Sequence, residues 1–183
     1  MKKAKALIFA GIALILLSIG ALLYLRWADT RSENTARQIL QQLDEVLPPL
    51  HPGTRDAYRV MEMPVLEIDG RDIIAIVEIP AVSLRLPVQS NWEQDRDLPR
   101  RFSGSVYNDT LILGGTAAQF ACFARIPNDT EVILTDMTGA VFTYTVERIG
   151  RSPHADMQTL QGSSLTLFAP QQTNLEYILL RCN

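Results

Sequence analysis

The stretch LEIDGRDIIAIVEIPAVSLRLPV, residues 66–88, indicates the fold of the C-terminal two-thirds of the chain. Residues 73–79 (IIAIVEI) form a nearly continuous apolar run that ends at Pro80, and residues 83–88 (SLRLPV) alternate in polarity. A short apolar run rich in β-branched residues is typical of a buried strand, and alternation is typical of a strand with one face in the core. The stretch therefore predicts two neighbouring strands.

Further short strand patterns follow as far as the C-terminus. They occupy residues 111–113, 131–135, 141–149, 164–169 and 177–182. Residues 136–139 (DMTG) lie between two alternating runs, and the final Gly139 suits a hairpin turn that needs a left-handed residue. Seven or eight short strands with little helix between them predict a mainly β domain, a closed or nearly closed β-barrel.

The N-terminal part of the chain carries an uncharged apolar run from Ala6 to Leu25 (ALIFAGIALILLSIGALLYL). As a helix, these twenty residues would span the roughly 30 Å hydrocarbon core of a bilayer. Lys2, Lys3 and Lys5 precede the run, and basic residues favour the cytoplasmic side. We therefore expect a single-pass anchor in contact with membrane lipid, a cytoplasmic N-terminus and an extracellular C-terminal domain.

A cleaved signal peptide is the alternative interpretation of this run. A signal peptide has a shorter apolar segment, followed by a cleavage site made of small residues. Here the apolar run ends in the large residues Leu25, Arg26 and Trp27, which do not form such a cleavage site. Tyr24 and Trp27 also place amphipathic rings at the depth of a membrane interface. These features favour an uncleaved anchor.

An amphipathic helix is predicted for residues 26–47, because apolar side chains recur there at three- and four-residue steps. Pro48 and Pro49 end it, and residues 50–64 form a Pro-containing polar linker in which His51 is expected to be solvated. The expected organisation is a cytoplasmic tip with its anchor at 1–27, a helical stalk and linker at 28–62, and the barrel at 63–183.

The charged residues and cysteines limit the classes of function. Beyond Lys5 the basic residues are fourteen arginines against 20 acidic residues, a net charge of −6 that disfavours nucleic acid as a partner. Arg100 and Arg101 are interpreted as a solvated loop pair. Cys122 and Cys182 either form a disulfide or remain free, half-buried thiols. Without ligand spacing among Cys and His residues, no metal or cofactor is expected.

The order of these segments resembles the sortase domain, a membrane-anchored transpeptidase of Gram-positive bacteria, and in particular a class B-like group. Residues 66–88 resemble the opening of that domain, 103–115 the strand that leads to its histidine, 135–149 its central hairpin and 163–182 its last two strands. The resemblance extends from Glu62 to the C-terminus. It implies an eight-stranded sortase-like β-barrel with short helices, and as a partner a surface-protein or pilin peptide or an active sortase.

The same resemblance identifies three degenerate catalytic positions. A sortase uses a cysteine thiolate as nucleophile, a histidine for proton transfer and an arginine that steadies the substrate and the oxyanion. Here Thr116 occupies the expected place of the histidine and Pro170 that of the cysteine. Tyr177 occupies the expected place of the arginine, or Glu176 does if the alignment shifts by one residue. No catalytic residue is therefore predicted, and the three positions are expected to cluster around a filled or re-purposed groove.

Three functions remain open at this level. The first is a catalytically inactive pseudo-sortase that acts in binding or in cell-surface or pilus assembly. The second is an active cysteine transpeptidase with a relocated nucleophile, Cys182 or Cys122, for which His154 is a weakly supported base. The third is a structural anchor domain without a ligand.

Overall fold

The computed structural model describes residues 2–55, 62–171 and 175–183 of the chain. Its first element is helix α1, Lys2–Val46, which includes all but the last residue of the helix predicted for 26–47 and ends shortly before Pro48. Within the described residues, no helix combines the length and the apolar character that a membrane crossing requires. Residues 56–61 of the predicted linker lie outside the described residues.

Within the described ranges, ten strands and a few short helices follow α1. The strands are β1 His51–Pro52, β2 Leu66–Ile68, β3 Arg71–Ile79, β4 Leu84–Gln89, β5 Arg100–Ser103, β6 Leu111–Gly114, β7 Glu131–Asp136, β8 Ala140–Ser152, β9 Leu165–Pro170 and β10 Tyr177–Cys182. A short helix, α2, spans Met157–Leu160, and 3₁₀ helices span Pro80–Val82, Val106–Asn108 and Phe123–Arg125.

Eight of these strands close into a barrel. Going around it, the order is β3, β4, β5, β6, β9, β10, β8 and β7, and β7 then pairs with β3. The β6–β9 and β4–β5 pairs are parallel, and the other pairs in the ring are antiparallel. β1 and β2 extend the sheet beside β8 and β3. The predicted mainly β, eight-stranded barrel is confirmed.

The barrel interior is filled by apolar side chains, as the two strongest apolar runs predict. Almost every residue of β3 from Ile73 to Ile79 is buried, and β9 is buried from Leu165 to Ala169. In β8, buried and exposed side chains alternate, as expected for a strand with only one face in the core. The largest side chains of this core include Phe120, Phe123, Phe142 and Tyr144.

The β7–β8 hairpin turns at the predicted place. Gly139 has φ of +83°, and a Cβ atom at this position would lie 2.8 Å from the carbonyl oxygens of Pro48 and Pro49. Only glycine fits both demands. The hairpin also anchors the segment after α1, because the His51 amide donates to the Gly139 carbonyl.

The C-terminal part of α1 packs against the outside of the barrel. Ala36, Ile39 and Leu43 are buried there in a cluster with residues of β2 and β3, together with Leu98 and Met137. Full burial of an aliphatic side chain such as Ile39 or Leu43 stabilises a fold by about 1.5–3 kcal/mol. The apolar face predicted from the sequence is therefore the face that contacts the barrel.

Two segments differ from the sequence-based predictions. The linker contains the short strand β1, which pairs with β8, although the His51 side chain is exposed as expected. The predicted solvated pair lies in strand β5, where Arg100 is only 8% exposed. The tetrapeptide RRFS has no clear alternation of apolar and polar residues, so pairing with β6 decides its conformation.

Candidate functional site

The ends of three adjacent barrel strands meet at a cavity of about 520 Å³, called here the end cavity. Thr116 follows β6, Pro170 is the last residue of β9 and Tyr177 is the first residue of β10. Tyr177 pairs with Pro170 across the antiparallel β9–β10 ladder, and the Gly115 amide after β6 donates to the Phe168 carbonyl. The structure therefore brings Thr116, Pro170 and Tyr177 together in the lining of one cavity.

An aromatic cluster forms one wall of the end cavity. Trp92 stacks on Phe168 at 5.7 Å between ring centroids, and Phe102 meets both rings edge-on at 5.2 and 5.6 Å. A Cβ atom on Gly114 would run into the Trp92 and Phe168 rings, which explains the glycine at the end of β6. The wall offers apolar contact area close to the three strand ends.

Thr116 belongs to a reciprocal hydrogen-bonded turn. Its Oγ1 accepts from the Gln119 amide at 3.3 Å, and its own amide donates to Gln119 Oε1 at 2.9 Å. This pattern is a capping box, in which two otherwise unsatisfied amides are bonded by the two side chains. The signal was present in the sequence as T-x-x-Q, and we did not predict it. The Thr116 hydroxyl therefore has a structural partner.

Gln119 extends this turn to two other parts of the molecule. Its Nε2 donates to Ser32 Oγ on α1 at 3.2 Å and to the Arg96 carbonyl at 3.0 Å. Ser32 in turn donates to the Asp97 carbonyl at 2.6 Å. The loop that precedes β5 and the turn after β6 are thus held together beside α1.

Pro170 and Tyr177 contribute surface rather than reactive groups. Pro170 is exposed and has no amide hydrogen to donate, and the Tyr177 ring meets Phe168 edge-on at 6.2 Å. The described residues that line the cavity include neither a cysteine nor a histidine. The equivalence of Thr116, Pro170 and Tyr177 to the catalytic positions of a sortase stays a prediction.

Arg100 reaches the end cavity from β5, which sequence reasoning missed. Its guanidinium carbon lies 4.2 Å from the centre of the Trp92 ring, and its Nη1 donates to the Trp92 and Gln94 carbonyls. Its Nε is buried and has no acceptor within the described part of the chain. Burial lowers the pKa of Arg100 and the charge of Arg96 lowers it further, while the charge of Asp95 acts in the opposite direction. The expectation of a solvated side chain is wrong for Arg100.

The acidic residues near this loop are engaged elsewhere. Asp95 and Asp97 both approach Arg71 Nη2, at 3.1 and 3.5 Å. Considering the residues that the structure describes, no carboxylate lies within 4 Å of the guanidinium of Arg96 or Arg100. Both arginines line the end cavity, which therefore has a positive charge that no described carboxylate pairs directly, while the charge of Asp95 acts on Arg100 from beyond 4 Å.

The two cysteines are free, and neither lines the end cavity. Cys182 is fully buried at the end of β10 and pairs with Leu165, five residues before Pro170 on β9. That separation is about 16 Å at roughly 3.3 Å per residue. Burial raises the pKa of Cys182 to about 12, and it also raises the pKa of the half-buried Cys122. A protonated thiol is a poor nucleophile.

The histidines are exposed and lie outside the lining of the end cavity. His51 is on β1, and His154 is in the loop between β8 and α2, where its neighbour Ala155 contributes to the cavity wall. Throughout the described ranges, no group of three His, Cys, Asp or Glu side chains converges as metal ligands would. The chemistry available at the end cavity is therefore hydrogen bonding, aromatic contact and positive charge.

The closed strand order can be compared with solved structures. Sortase C1 from Streptococcus agalactiae matches with a TM-score of 0.54 at 19% identity over 64% of this chain and 70% of that one. Sortase A from Corynebacterium diphtheriae matches with a TM-score of 0.53 at 18% identity over 85% and 83%. The domain has the sortase fold. Sortase C-3 from Streptococcus pneumoniae also matches, with a TM-score of 0.54 at 14% identity over 85% and 82%.

At these identities the likeness to sortases concerns the fold. No protein-family model and no curated protein matches the chain. The sortase fold predicted from the order of sequence motifs is confirmed, whereas the class B-like assignment stays a prediction. What the sortase-fold domain does must be argued from its own end cavity.

Proposed function

We propose that this protein is a membrane-anchored, extracellular pseudo-sortase that binds an extended peptide without cleaving it. The peptide would belong to a surface protein or pilin, or to a complex with an active sortase, so that the protein acts in cell-surface assembly. The observation that carries this proposal is the end cavity, where a sortase fold retains an open site at the ends of β6, β9 and β10 without a cysteine or histidine among the described lining residues.

The residues at the cavity argue against transpeptidation. This reaction needs a thiolate and a proton-transferring base within hydrogen-bonding reach of one substrate bond. Thr116 is held in a capping box, and Pro170 has no nucleophilic atom. The two thiols lie elsewhere, with their pKa values raised by burial. Loss of a catalytic nucleophile lowers turnover by about 10⁶ in a well-studied hydrolase, so binding would be what remains.

The size and lining of the end cavity suit a peptide side chain or chain end. Ligand cavities commonly have volumes of roughly 300–1,000 Å³, mostly apolar walls and a few placed polar groups. The end cavity has about 520 Å³, an aromatic wall of Trp92, Phe102 and Phe168, and the guanidinium of Arg100. A cavity of this kind favours a ligand over a purely structural role.

The membrane anchor in this proposal rests on the sequence from Ala6 to Leu25. Protease added to intact protoplasts tests it, because an extracellular barrel is accessible while the anchor is not. We expect digestion of the barrel and a short membrane-bound fragment that retains Lys2 to Lys5. Full protection of the chain in intact protoplasts, with digestion after lysis, would contradict the extracellular location.

A peptide-cleavage assay tests the absence of catalysis. The full chain in detergent is incubated with sorting peptides, beside an active sortase and the variants Cys122→Ala and Cys182→Ala. We expect no turnover above background for any form of this chain. Turnover that disappears in either cysteine variant would instead establish a transpeptidase with a relocated nucleophile.

Restoration of the family residues provides a second test. We expect the triple substitution Thr116→His, Pro170→Cys and Tyr177→Arg to fold but to turn over sorting peptides poorly. The capping box is lost in this variant, and catalytic groups must be held to about 0.5 Å by surrounding side chains. Turnover similar to that of active sortases would show that only the reactive side chains had changed.

Photo-crosslinking in native membranes tests the binding function. Tyr177, in the cavity lining, is replaced by benzoylphenylalanine, and Thr145, exposed on β8, is replaced in the same way as a matched control. We expect a discrete adduct with a surface protein, pilin or sortase from position 177 alone. Absence of any position-specific adduct would favour the structural anchor.

A further inference from the structure

We propose that the end cavity recognises a peptide carboxylate, which Arg100 binds with the assistance of Arg96, while the aromatic wall contacts an apolar neighbour of the acidic group. This inference rests on the proposed peptide-binding function and adds the chemical class of the ligand. The carboxylate can belong to the chain end of the peptide or to an Asp or Glu side chain, and the experiment below separates these two sources.

The strongest support is the incomplete bonding of a buried charge. Arg100 is only 8% exposed, yet it has no carboxylate partner among the described residues. Its Nη1 has two carbonyl acceptors, whereas Nε has none. Buried polar groups in native proteins are nearly always bonded, and a buried charge is normally paired. Nε itself is closed to solvent, whereas Nη2 has no acceptor among the described residues and is not among the buried atoms, so Nη2 is the donor that a ligand anion would meet in the end cavity.

The position of the guanidinium is fixed before any ligand arrives. The Trp92 ring lies under it, and the Trp92 and Gln94 carbonyls orient Nη1 without neutralising the charge. Both Nη1 hydrogens are thereby used, and the accessible Nη2 can donate a charge-assisted hydrogen bond to a carboxylate. Arg96, exposed at the cavity, adds a second positive charge that a ligand anion would also neutralise.

The local charge contrasts with the rest of the domain. The chain after Lys5 has fourteen arginines against 20 acidic residues, so its overall field repels acidic peptides. Asp95 and Asp97, the acidic residues nearest in sequence to Arg96, are paired with Arg71. Recognition of an anion must therefore be local, and the end cavity supplies two arginines that no carboxylate of the described residues pairs directly.

The Trp92 ring allows binding to be observed directly. The chain has two tryptophans, so Trp27→Phe leaves Trp92 as the only tryptophan in the full chain in detergent micelles, and excitation at the long-wavelength edge of the absorption band avoids the five tyrosines. The probes are acetyl-trileucine with a free carboxylate, its C-terminal amide, acetyl-Leu-Glu-Leu amide and inorganic phosphate. We expect saturable changes in Trp92 emission for at least one carboxylate peptide, with affinity at least about tenfold above that of the neutral amide.

Each outcome of the titration has a defined meaning. Binding of acetyl-trileucine alone supports a terminal carboxylate, and binding of the Glu peptide alone supports a side-chain carboxylate. Equal affinity for the neutral amide overturns the carboxylate assignment but leaves the peptide-binding function standing. Competition by phosphate at the same concentrations as the peptides overturns it in favour of a general anion site. Absence of any saturable change in Trp92 emission also overturns the carboxylate assignment. The proposed peptide-binding function is tested independently by the crosslink from position 177.

Matched arginine variants identify the responsible group. We expect Arg100→Gln to weaken carboxylate binding by about tenfold or more and Arg100→Lys to restore only part of it, because lysine lacks the planar fork. Arg101→Gln is the control: it removes the same charge from the adjacent residue, which bonds the Ser90 carbonyl and does not line the cavity. Wild-type affinity in folded Arg100→Gln would overturn the assignment.

A variant at the cavity rim covers the case in which Arg100→Gln fails to fold. Arg96 is exposed, and among the described residues only its main-chain carbonyl takes part in a hydrogen bond, so Arg96→Gln should fold normally. We expect it to weaken carboxylate binding about threefold and to leave binding of the neutral amide unchanged. Unchanged carboxylate affinity in Arg96→Gln, with Arg100→Gln unfolded, would count against the proposal.

Discussion

Two buried charged residues, Asp136 on β7 and Arg100 on β5, have opposite surroundings. The Asp136 carboxylate is fully buried and accepts from the Tyr107 hydroxyl, from the amide and hydroxyl of Thr138, and from the Ala140 amide, all within 3.0 Å. Arg100 retains a buried Nε without an acceptor in the described part of the chain. The Asp136 carboxylate is thus bonded by its own turn and by Tyr107 of a 3₁₀ helix, whereas the hydrogen bonding of Arg100 is left incomplete.

This difference separates a structural residue from a candidate binding residue. A carboxylate with several donors stabilises the segments from which those donors come, here the β7–β8 hairpin and the 3₁₀ helix that carries Tyr107. An incompletely bonded buried charge lowers stability, and such groups are characteristically retained where function requires them. Substitutions at the two positions should therefore change the free energy of unfolding by very different amounts.

The largest effect is expected for Asp136→Ala. It leaves the Tyr107 hydroxyl and the Thr138 and Ala140 amides without their acceptor, and we expect a loss of about 3 kcal/mol in the free energy of unfolding. Urea denaturation of the full chain in mild detergent measures it. Tyr107→Phe, which removes one of the donors, is the control and should lose only about 1 kcal/mol. A loss below 1 kcal/mol for Asp136→Ala would remove the contrast with Arg100.

The pKa of Tyr107 is consistent with this role. Burial raises it, and the hydrogen bond to Asp136 raises it further. The hydroxyl therefore stays protonated and keeps donating to Asp136 throughout the physiological pH range.

A smaller effect is expected from Cys182, whose thiol is buried without charge. Its pKa is raised to about 12 in the folded state, against about 8.5 for an unfolded cysteine. The unfolded chain loses the proton first, so this stabilising contribution is present below about pH 8.5 and falls as the pH rises towards 12. We expect wild type to lose about 1 kcal/mol per pH unit more than Cys182→Ala between about pH 9 and 10. Parallel stability profiles for the two proteins would contradict the buried thiol.

Sequence patterns could predict the fold because the barrel depends on periodicity. The runs at 73–79 and 164–169 became β3 and β9, and Gly139 became the left-handed residue of the hairpin. Burial on both faces produces a continuous apolar run, and burial on one face produces alternation, so both patterns can be read without tertiary information. The apolar face of residues 26–47 likewise predicted the packed side of α1.

The end cavity could be predicted only in part. The resemblance to sortases located Thr116, Pro170 and Tyr177, because the order of strands determines which strand ends meet. Arg100 could not be recognised, since two arginines in succession normally indicate a solvated segment. Its burial depends on Trp92 and Gln94, which approach it only after β5 has paired with β6.

An exposed ion pair is expected to contribute still less than the buried groups. Arg85 bonds Asp44 through both terminal nitrogens, at 3.0 and 2.6 Å, and joins α1 to the barrel. The hydrogen bond from Arg85 lowers the pKa of Asp44, so its contribution is present above the unfolded pKa of about 3.9 and is lost as the pH falls below it. Because both side chains are more than a third exposed, we expect Asp44→Asn to lose at most about 0.5 kcal/mol at pH 7.

Leu43→Ala is the matched comparison for this ion pair, because Leu43 is the neighbouring residue of α1 and is fully buried against the barrel. Large-to-small changes in a core typically lose about 2–5 kcal/mol. Urea denaturation at pH 7 and pH 3.5 separates the two effects, since only the contribution of Asp44 depends on pH in this range. A loss in Asp44→Asn equal to that in Leu43→Ala would mean that the ion pair, not the apolar face, holds α1 on the barrel.

The smallest change in stability is expected for Arg100→Met, which also tests the comparison with Asp136 most sharply. Methionine retains much of the side-chain length and can contact the Trp92 ring, while it removes a buried charge that has no counterion among the described residues. Replacement of buried ionic groups by apolar ones of similar volume is often neutral or stabilising. The freed carbonyls belong to the half-buried Trp92 and Gln94, where water can replace the lost donor. We therefore expect an unfolding free energy within about 0.5 kcal/mol of wild type, or above it.

With a carboxylate peptide at ten times its dissociation constant for wild type, the unfolding free energy of wild type alone should rise by about 1.4 kcal/mol. A loss above 2 kcal/mol in unliganded Arg100→Met would show that Arg100, like Asp136, is retained for the fold.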